Sequence, residues 1–293
     1  MELSVYLKRC AKDVDAALDR YLPKAATKPA TIHRAMRYSL FAGGKRMRPV
    51  LALAAAEACG GDFSTALPAA CAVECVHTYS LVHDDLPCMD DDDLRRGRPT
   101  SHKVFGEGIA VLAGDALLTQ AFEILAQAKP VARYPVAAMI RELAVAAGSL
   151  KLIAGQVADL EGEGKKATRT QLRFIHECKT AAMIEVSLRL GAMSANATPA
   201  KVQALTAFGH NLGLAFQVID DILDVTQTSE KLGKSAGKDL AAEKTTYPSV
   251  IGLEASKKEA RRLTDAALAA LKSFGAKGAT LRAVADYLLV REF

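Results

Sequence analysis

The stretch PAKVQALTAFGHNLGLAFQVIDDILDV, residues 199–225, decides the fold. Leu205, Phe208, Leu212, Phe216, Ile219 and Leu223 recur at three- and four-residue steps, the apolar stripe of an α-helix. Gln217, Asp220, Asp221 and Asp224 form a polar stripe beside it. At the helical turn angle, Asp220 and Asp224 lie about 40° apart on neighbouring turns. Hydrophobic neighbours on both sides imply that the polar stripe faces an internal cavity. The other reading is a solvated face, although such a face more often mixes Lys and Glu with its Asp. Thr198 has the character of an N-cap, and Pro199 suits a first helical position.

The same periodicity continues through nearly the whole chain. It predicts helices at about 2–21, 31–42, 48–59, 65–88, 107–127, 135–147, 149–160, 170–192, 199–225, 247–273 and 278–290. Ser64 and Thr170 are further candidate N-caps. No region shows sustained alternation of a strand type. Aromatics are only 5% and Trp is absent, so the core is built from small and aliphatic side chains, which suit closely packed helices. The expected fold class is all-α.

A second acidic cluster begins at Asp84-Asp85-Leu86-Pro87-Cys88-Met89-Asp90, and Arg95, Arg96 and Arg98 follow it. Carboxylates crowded into apolar helices repel one another and lose hydration. Divalent cations remove that penalty. Mg²⁺ takes oxygen ligands, usually one or two carboxylates plus substrate phosphates. Two such clusters would clamp a diphosphate if residues 84 and 220 converge, and on that ground residues 1–293 are expected to form one domain. Asp84 and Asp90 do not share a face of a straight helix, so a shared metal requires a distortion after Pro87. His77 and Asp84, two turns apart, do share a face.

Gly43-Gly44-Lys45-Arg46-Met47-Arg48-Pro49 lacks the Walker spacing and a preceding strand. It suits a phosphate nonetheless, since the glycines admit close backbone approach while Lys45 and Arg48 supply charge. An exposed basic turn is the alternative. The loops at 94–104 and 226–246 hold much of the remaining Lys, Arg, Gly and Thr and suit lids over a charged substrate.

Other chemistries fit poorly. An EF-hand starting at Asp90 would place Arg95 where glycine is needed. A di-iron bundle needs two Glu-x-x-His motifs, and Glu74-Cys-Val-His77 supplies one. Cys71, Cys75 and His77 suggest zinc only weakly, and the six cysteines read as reduced thiols. Net charge is +5, yet no Lys/Arg tract interleaves with aromatics, which argues against nucleic acid. The N-terminal residues carry no signal-peptide pattern, and no stable membrane anchor is expected. The expected location is cytoplasmic.

Together these motifs resemble the trans-isoprenyl diphosphate synthases, the short-chain prenyltransferases. The resemblance runs from Gly43 almost to the C-terminus. It rests on Gly-Gly-Lys-Arg-Met-Arg-Pro, His-Asp-Asp-Leu-Pro-Cys-Met-Asp-Asp-Asp-Asp-Leu-Arg-Arg-Gly, Lys179-Thr180 and Phe-Gln-Val-Ile-Asp-Asp-Ile-Leu-Asp. Gly237-Lys238-Asp239 and Lys244-Thr245-Thr246-Tyr247-Pro248 complete it. The resemblance implies an isoprenoid synthase fold, long antiparallel helices around a central cavity, usually as a homodimer. It implies condensation of isopentenyl diphosphate with dimethylallyl or geranyl diphosphate, with three Mg²⁺ ions when substrate is bound. Asp84, Asp85, Asp90, Asp220 and Asp224 would be metal ligands or their supports. Arg95, Lys179 and Lys234 would grip the allylic diphosphate, with Lys244 nearby. Gly44, Lys45, Arg48, His77 and Arg96 would hold isopentenyl diphosphate. Thr180 and Gln217 would place oxygen dipoles beside the allylic cation.

In the family, the residues four and five places before the first Asp pair contribute to the floor that limits product length. Here they are Ser80 and Tyr79. The Tyr79 ring favours the fifteen-carbon farnesyl diphosphate and resembles bacterial farnesyl diphosphate synthases. Pro-Cys-Met-Asp and the Gly-Lys-Asp segment also resemble geranylgeranyl diphosphate synthases of plants and cyanobacteria, the alternative product. Terpene cyclases pair the first Asp motif with a different second one. A catalytically silent partner subunit would be expected to have lost one motif, and this chain keeps both. The C-terminus departs from the pattern, carrying a single Arg291 in place of a richer basic tail.

Overall fold

The structure is a computed structural model that describes residues 2–165, 167–226 and 246–289. Lys234, Gly237, Lys238, Asp239, Lys244 and Arg291, named above on sequence grounds, lie outside the described residues.

The described chain is helical almost throughout. In order come α1 (Leu3–Tyr21), α2 (Ala30–Leu40), α3 (Met47–Ala58), α4 (Phe63–Asp84), α5 (Ser101–Phe105), α6 (Glu107–Ala126), α7 (Val136–Ala147), α8 (Leu152–Gly162) and α9 (Arg169–Ile175). A π-helical segment, His176–Ala181, leads into α10 (Ala182–Ser194). Then follow α11 (Pro199–Thr226), α12 (Tyr247–Ile251), α13 (Leu253–Ala270), a 3₁₀ segment (Lys272–Gly278) and α14 (Ala279–Leu289). The strands among the described residues are a two-residue pair, β1 (Leu94–Arg95) against β2 (Arg98–Pro99), antiparallel.

These residues group into two compact units. One comprises Met1–Leu143 with Leu190–Ala197, the other Ala144–Arg189 with Thr198–Phe293. In the first, α4 packs on α3 and α6. Small side chains allow it: Ala52, Ala54, Ala55 and Ala56 of α3 and Ala69, Ala70 and Ala72 of α4 are all fully buried. α6 is long and apolar enough to cross a membrane by length and composition. One face of it, with Ala113, Leu117, Ala121 and Ile124, is buried, while Val111 and Leu112 are exposed. In the second unit α11 packs along α13 and the π segment. Its apolar stripe is inside as read: Leu205, Phe208, Leu212, Ile219 and Leu223 are buried and Phe216 is half-buried. Burying five such side chains is worth about 1.5–3 kcal/mol each.

The structure corrects several boundaries. α4 stops at Asp84, four residues before the expected end, because Leu86 precedes Pro87 and is steered out of the helical region. Gly252, at φ 83°, splits the expected helix 247–273 into α12 and α13. α9 is capped by Thr168, in a capping box with Gln171, and not by Thr170. α4 begins after Asp62 and not at Ser64. Thr198 does cap α11, its hydroxyl accepting from Lys201 N at 3.5 Å.

Candidate active site

In the first unit the chain folds back after Pro87 as the shared-metal reading requires. Asp90 N–H donates to Asp84 O at 2.9 Å, and Asp91 N–H donates to Leu86 O at 3.1 Å. The turn therefore brings Asp84 and Asp90 together at the backbone. Asp85 turns inward, 3% exposed. Arg95 Nε donates to its Oδ1 at 2.6 Å and Arg95 Nη2 approaches Asp92 at 3.5 Å. Burial pushes the Asp85 carboxyl up while the Arg95 guanidinium pulls it down. Asp85 and Arg95, expected as metal ligand and phosphate grip, are thus engaged with each other.

The turn between β1 and β2 is made by Arg96 at φ 54° and Gly97 at φ 73°, the paired positive φ of a tight hairpin. From it the Arg96 guanidinium reaches the glycine loop, where Nη1 donates to Gly43 O. Gly44 makes room, since a Cβ there would lie 2.5 Å from Arg96 Cζ. Two motifs more than forty residues apart in sequence are joined by this contact. Arg48 and His77 complete the group. Burial, then Arg48, Arg96 and Arg95, hold the His77 imidazole well below its ordinary value, so it is neutral. Arg48 Nε is buried without a hydrogen-bond partner. An anion supplies what such a group lacks. The structure therefore brings Gly44, Arg48, His77 and Arg96 together, with Lys45 next in the chain.

On α4, Tyr79 is 6% exposed and its ring meets His83 edge-on at 5.7 Å. Burial and Asp84 push its phenol up to about 12. Ser80 donates its hydroxyl to His77 O at 2.9 Å.

In the second unit, Gln217 and Asp221 of the other cluster line a cavity of about 220 Å³ with Asp159, His176, Lys179 and Thr180, among others, while Asp220 and Asp224 are not among its lining residues. Lys179 and Thr180 lie on the π segment, a register change that re-aims side chains and recurs at functional sites. Gly155 of α8 permits it, since a Cβ there would lie 2.5 Å from Lys179 N. Lys179 Nζ donates to Asp159 Oδ2 at 2.7 Å, and Thr180 Oγ1 donates to Gln217 Oε1 at 3.0 Å. Asp221 is buried and accepts from Tyr247 N–H at 2.8 Å, so it anchors the start of α12. Its neighbours on the helix, Asp220 and Asp224, occupy the polar stripe. Asp224 Oδ2 is buried with no hydrogen-bond partner among the described residues. An orphaned carboxylate oxygen among neighbouring carboxylates fits a hard cation such as Mg²⁺. A further group, Asp91, Asp93 and His102, places ligand atoms within 4.8 Å of one another, although Lys103 pairs with Asp93 at 2.7 Å.

Sequence reasoning missed Arg46, Asp159 and His176, and it considered Glu74 only as half of a di-iron motif. His176 stacks on Tyr247 at 5.5 Å, and burial lowers its imidazole to about 4.

The polyprenyl synthetase family model matches residues 29–284. The chain belongs to that family: it is a short-chain prenyltransferase of the trans-prenyl diphosphate synthase type with the isoprenoid synthase fold. It is 52% identical to the heterodimeric geranylgeranyl pyrophosphate synthase large subunit 1, chloroplastic, of Arabidopsis thaliana, covering 98% of this chain and 79% of that one. It is 50% identical to the chloroplastic geranylgeranyl pyrophosphate synthase of Capsicum annuum, covering 98% and 78%. The crystal structure of an FPP/GFPP synthase from Zymomonas mobilis superposes with TM-score 0.87 at 36% identity, covering 98% of each chain. The expected cytoplasmic location is corrected by these comparisons, because the similar plant enzymes are chloroplastic.

Proposed function

We propose that this prenyltransferase condenses isopentenyl diphosphate with allylic diphosphates up to the twenty-carbon geranylgeranyl diphosphate. The product length rests on the plant relatives at 52% and 50% identity. The observation that carries the chemistry is the contact of Arg96 with the Gly43–Gly44 backbone. It assembles a grip for a diphosphate from guanidiniums and a neutral imidazole.

In this reading Gly44, Lys45, Arg48, His77 and Arg96 bind isopentenyl diphosphate. Lys179 exchanges its Asp159 partner for the allylic diphosphate, and Thr180 and Gln217 turn oxygens toward the allylic carbons. Asp84 and Asp90 of one unit and Asp220 and Asp224 of the other would hold Mg²⁺, and Asp85 supports the first pair by fixing Arg95. Bound Mg²⁺ supplies charge neutralisation on the departing diphosphate. The allylic C–O bond breaks and its electron pair leaves with pyrophosphate. The double bond of isopentenyl diphosphate attacks the allylic cation, and the resulting cation loses a proton to pyrophosphate. Each positive charge near 4 Å is worth about 4 kcal/mol at an effective dielectric of 20, before desolvation.

A second reading, farnesyl diphosphate as the product, is favoured by Tyr79, whose buried ring lies roughly 7.5 Å along α4 from Asp84. Chromatography of products from dimethylallyl and isopentenyl diphosphate separates the two. A main product of twenty carbons supports the first reading. A fifteen-carbon product that lengthens in Tyr79→Ala establishes the second. We further infer a plastid location, from the chloroplastic relatives, and a homodimer, from the family resemblance. A heterodimer is the alternative that the Arabidopsis name raises. A single species of twice the chain mass in sedimentation supports the homodimer.

A further inference from the structure

Arg46 and Glu74 have no role in the reading above, yet their side chains are each only 2% exposed. Arg46 Nη1 donates to Glu74 Oε1 at 2.8 Å, Nη2 donates to Leu40 O at 2.7 Å, and Nε donates to Asp15 Oδ1 at 2.9 Å. One guanidinium thus ties together α1, the end of α2 and α4. The Arg46 backbone sits in the left-handed region at φ 50°, which a non-glycine residue holds only where its surroundings insist. That conformation stands at the N-cap position, immediately before α3 begins at Met47. Lys45 and Arg48 lie on either side of it.

Charge gives the second line of argument. Arg46, Arg48 and Arg96 crowd one region, and like charges so close repel. Glu74 is the carboxylate that acts on all three: it pairs with Arg46 and attracts Arg48 and Arg96. It stands three residues before His77, close to one helical turn. With Asp15 also on Arg46, two carboxylates face three guanidiniums, and the remaining positive charge suits an anion.

We propose that Arg46 and Glu74 are positioning residues for the isopentenyl diphosphate grip: Glu74 holds the guanidiniums together, and Arg46 fixes the left-handed turn that aims Lys45 and Arg48. This rests on the reading that Lys45, Arg48, His77 and Arg96 bind that diphosphate. A merely structural pair is replaceable by apolar side chains of similar size, often without loss of stability. A positioning pair is not.

The test compares the full-length protein with the double variant Arg46→Met/Glu74→Leu, with Glu74→Gln, and with Lys45→Ala. Thermal melts and helicity are read beside KM for isopentenyl diphosphate and KM for geranyl diphosphate. The expected double variant is folded, with KM for isopentenyl diphosphate raised about tenfold or more and KM for geranyl diphosphate within about twofold. Parent KM values in the folded double variant overturn the proposal. If the double variant fails to fold, Glu74→Gln decides: a selective rise of about threefold or more supports the proposal, and unchanged KM values overturn it. Lys45→Ala separates the two ways to fail. If it raises KM for isopentenyl diphosphate while the Glu74 variants do not, positioning alone is wrong. If it changes neither KM, the assignment of the site falls and the positioning role falls with it.

Discussion

In the unit that contains Asp84, the cationic side chains are set by turns. Gly43 and Gly44 at φ 88° and 120°, Arg46 at 50°, Arg96 at 54° and Gly97 at 73° all leave the common backbone regions, and the Arg96 guanidinium rests on the Gly43 carbonyl. In the unit that contains Asp220, the corresponding cation is set inside a run of helix. Lys179 and Thr180 ride on the π segment between α9 and α10, held close to α8 by Gly155. The first device fixes charge before a ligand arrives and leaves Arg48 Nε unpartnered. The second holds its charge in an ion pair, Lys179 with Asp159 at 2.7 Å, which in the proposed function is exchanged for a phosphate. A turn-built site is therefore sensitive to backbone substitutions, and a helix-built site to its counter-charges.

Substitutions at the carboxylates common to both units should have the largest effect. Asp84→Ala and Asp220→Ala are each expected to cut turnover by about 10³-fold, or about 4 kcal/mol, with helicity by circular dichroism unchanged. Full activity in either variant, or of the parent in excess chelator, would remove the metal assignment from that unit. The backbone contrast comes next. Gly44→Ala demands φ 120° of a residue with a Cβ and drives that Cβ against Arg96. It should raise KM for isopentenyl diphosphate by about tenfold and spare that for geranyl diphosphate.

The smallest effect at neutral pH belongs to His176. Its folded value is lowered to about 4, so the unfolded chain binds the proton first as pH falls below its ordinary value. Stability from the neutral ring is thus present above about 6.5 and is lost between about 6.5 and 4, roughly 3 kcal/mol in all. His176→Phe keeps an aromatic ring against Tyr247 and removes the titration. Urea midpoints from pH 7 down to 4 should fall less steeply in this variant than in the parent. Parallel slopes would show that other groups govern acid sensitivity.

Much of this was legible in the sequence, for physical reasons. The stripe of α11 declared both its core face and its acidic face. The need for a distortion after Pro87 followed from Asp84 and Asp90 failing to share a helical face. What the sequence did not declare were features with no periodic signature. The π segment inserts its extra residue without interrupting the apolar pattern of 170–192. The β1–β2 pair is too short to alternate. Glu74 looked like half of a metal motif because its partner Arg46 lies 28 residues away, and only tertiary packing buries the two together. Thr168 outcompeted Thr170 as a cap because Gln171 stands three residues after it. The expectation of a cytoplasmic enzyme fell to the chloroplastic relatives.

The most direct test of two separate grips is a matched pair of steady-state measurements on Lys45→Ala and Lys179→Ala, with each substrate varied in turn. The account predicts opposite patterns. Lys45→Ala raises KM for isopentenyl diphosphate by about tenfold or more, Lys179→Ala does the same for geranyl diphosphate, and each leaves the other KM within about twofold. Equal rises for both substrates in both variants would contradict it, because the lysines would then act as one diffuse positive field and not as two sites.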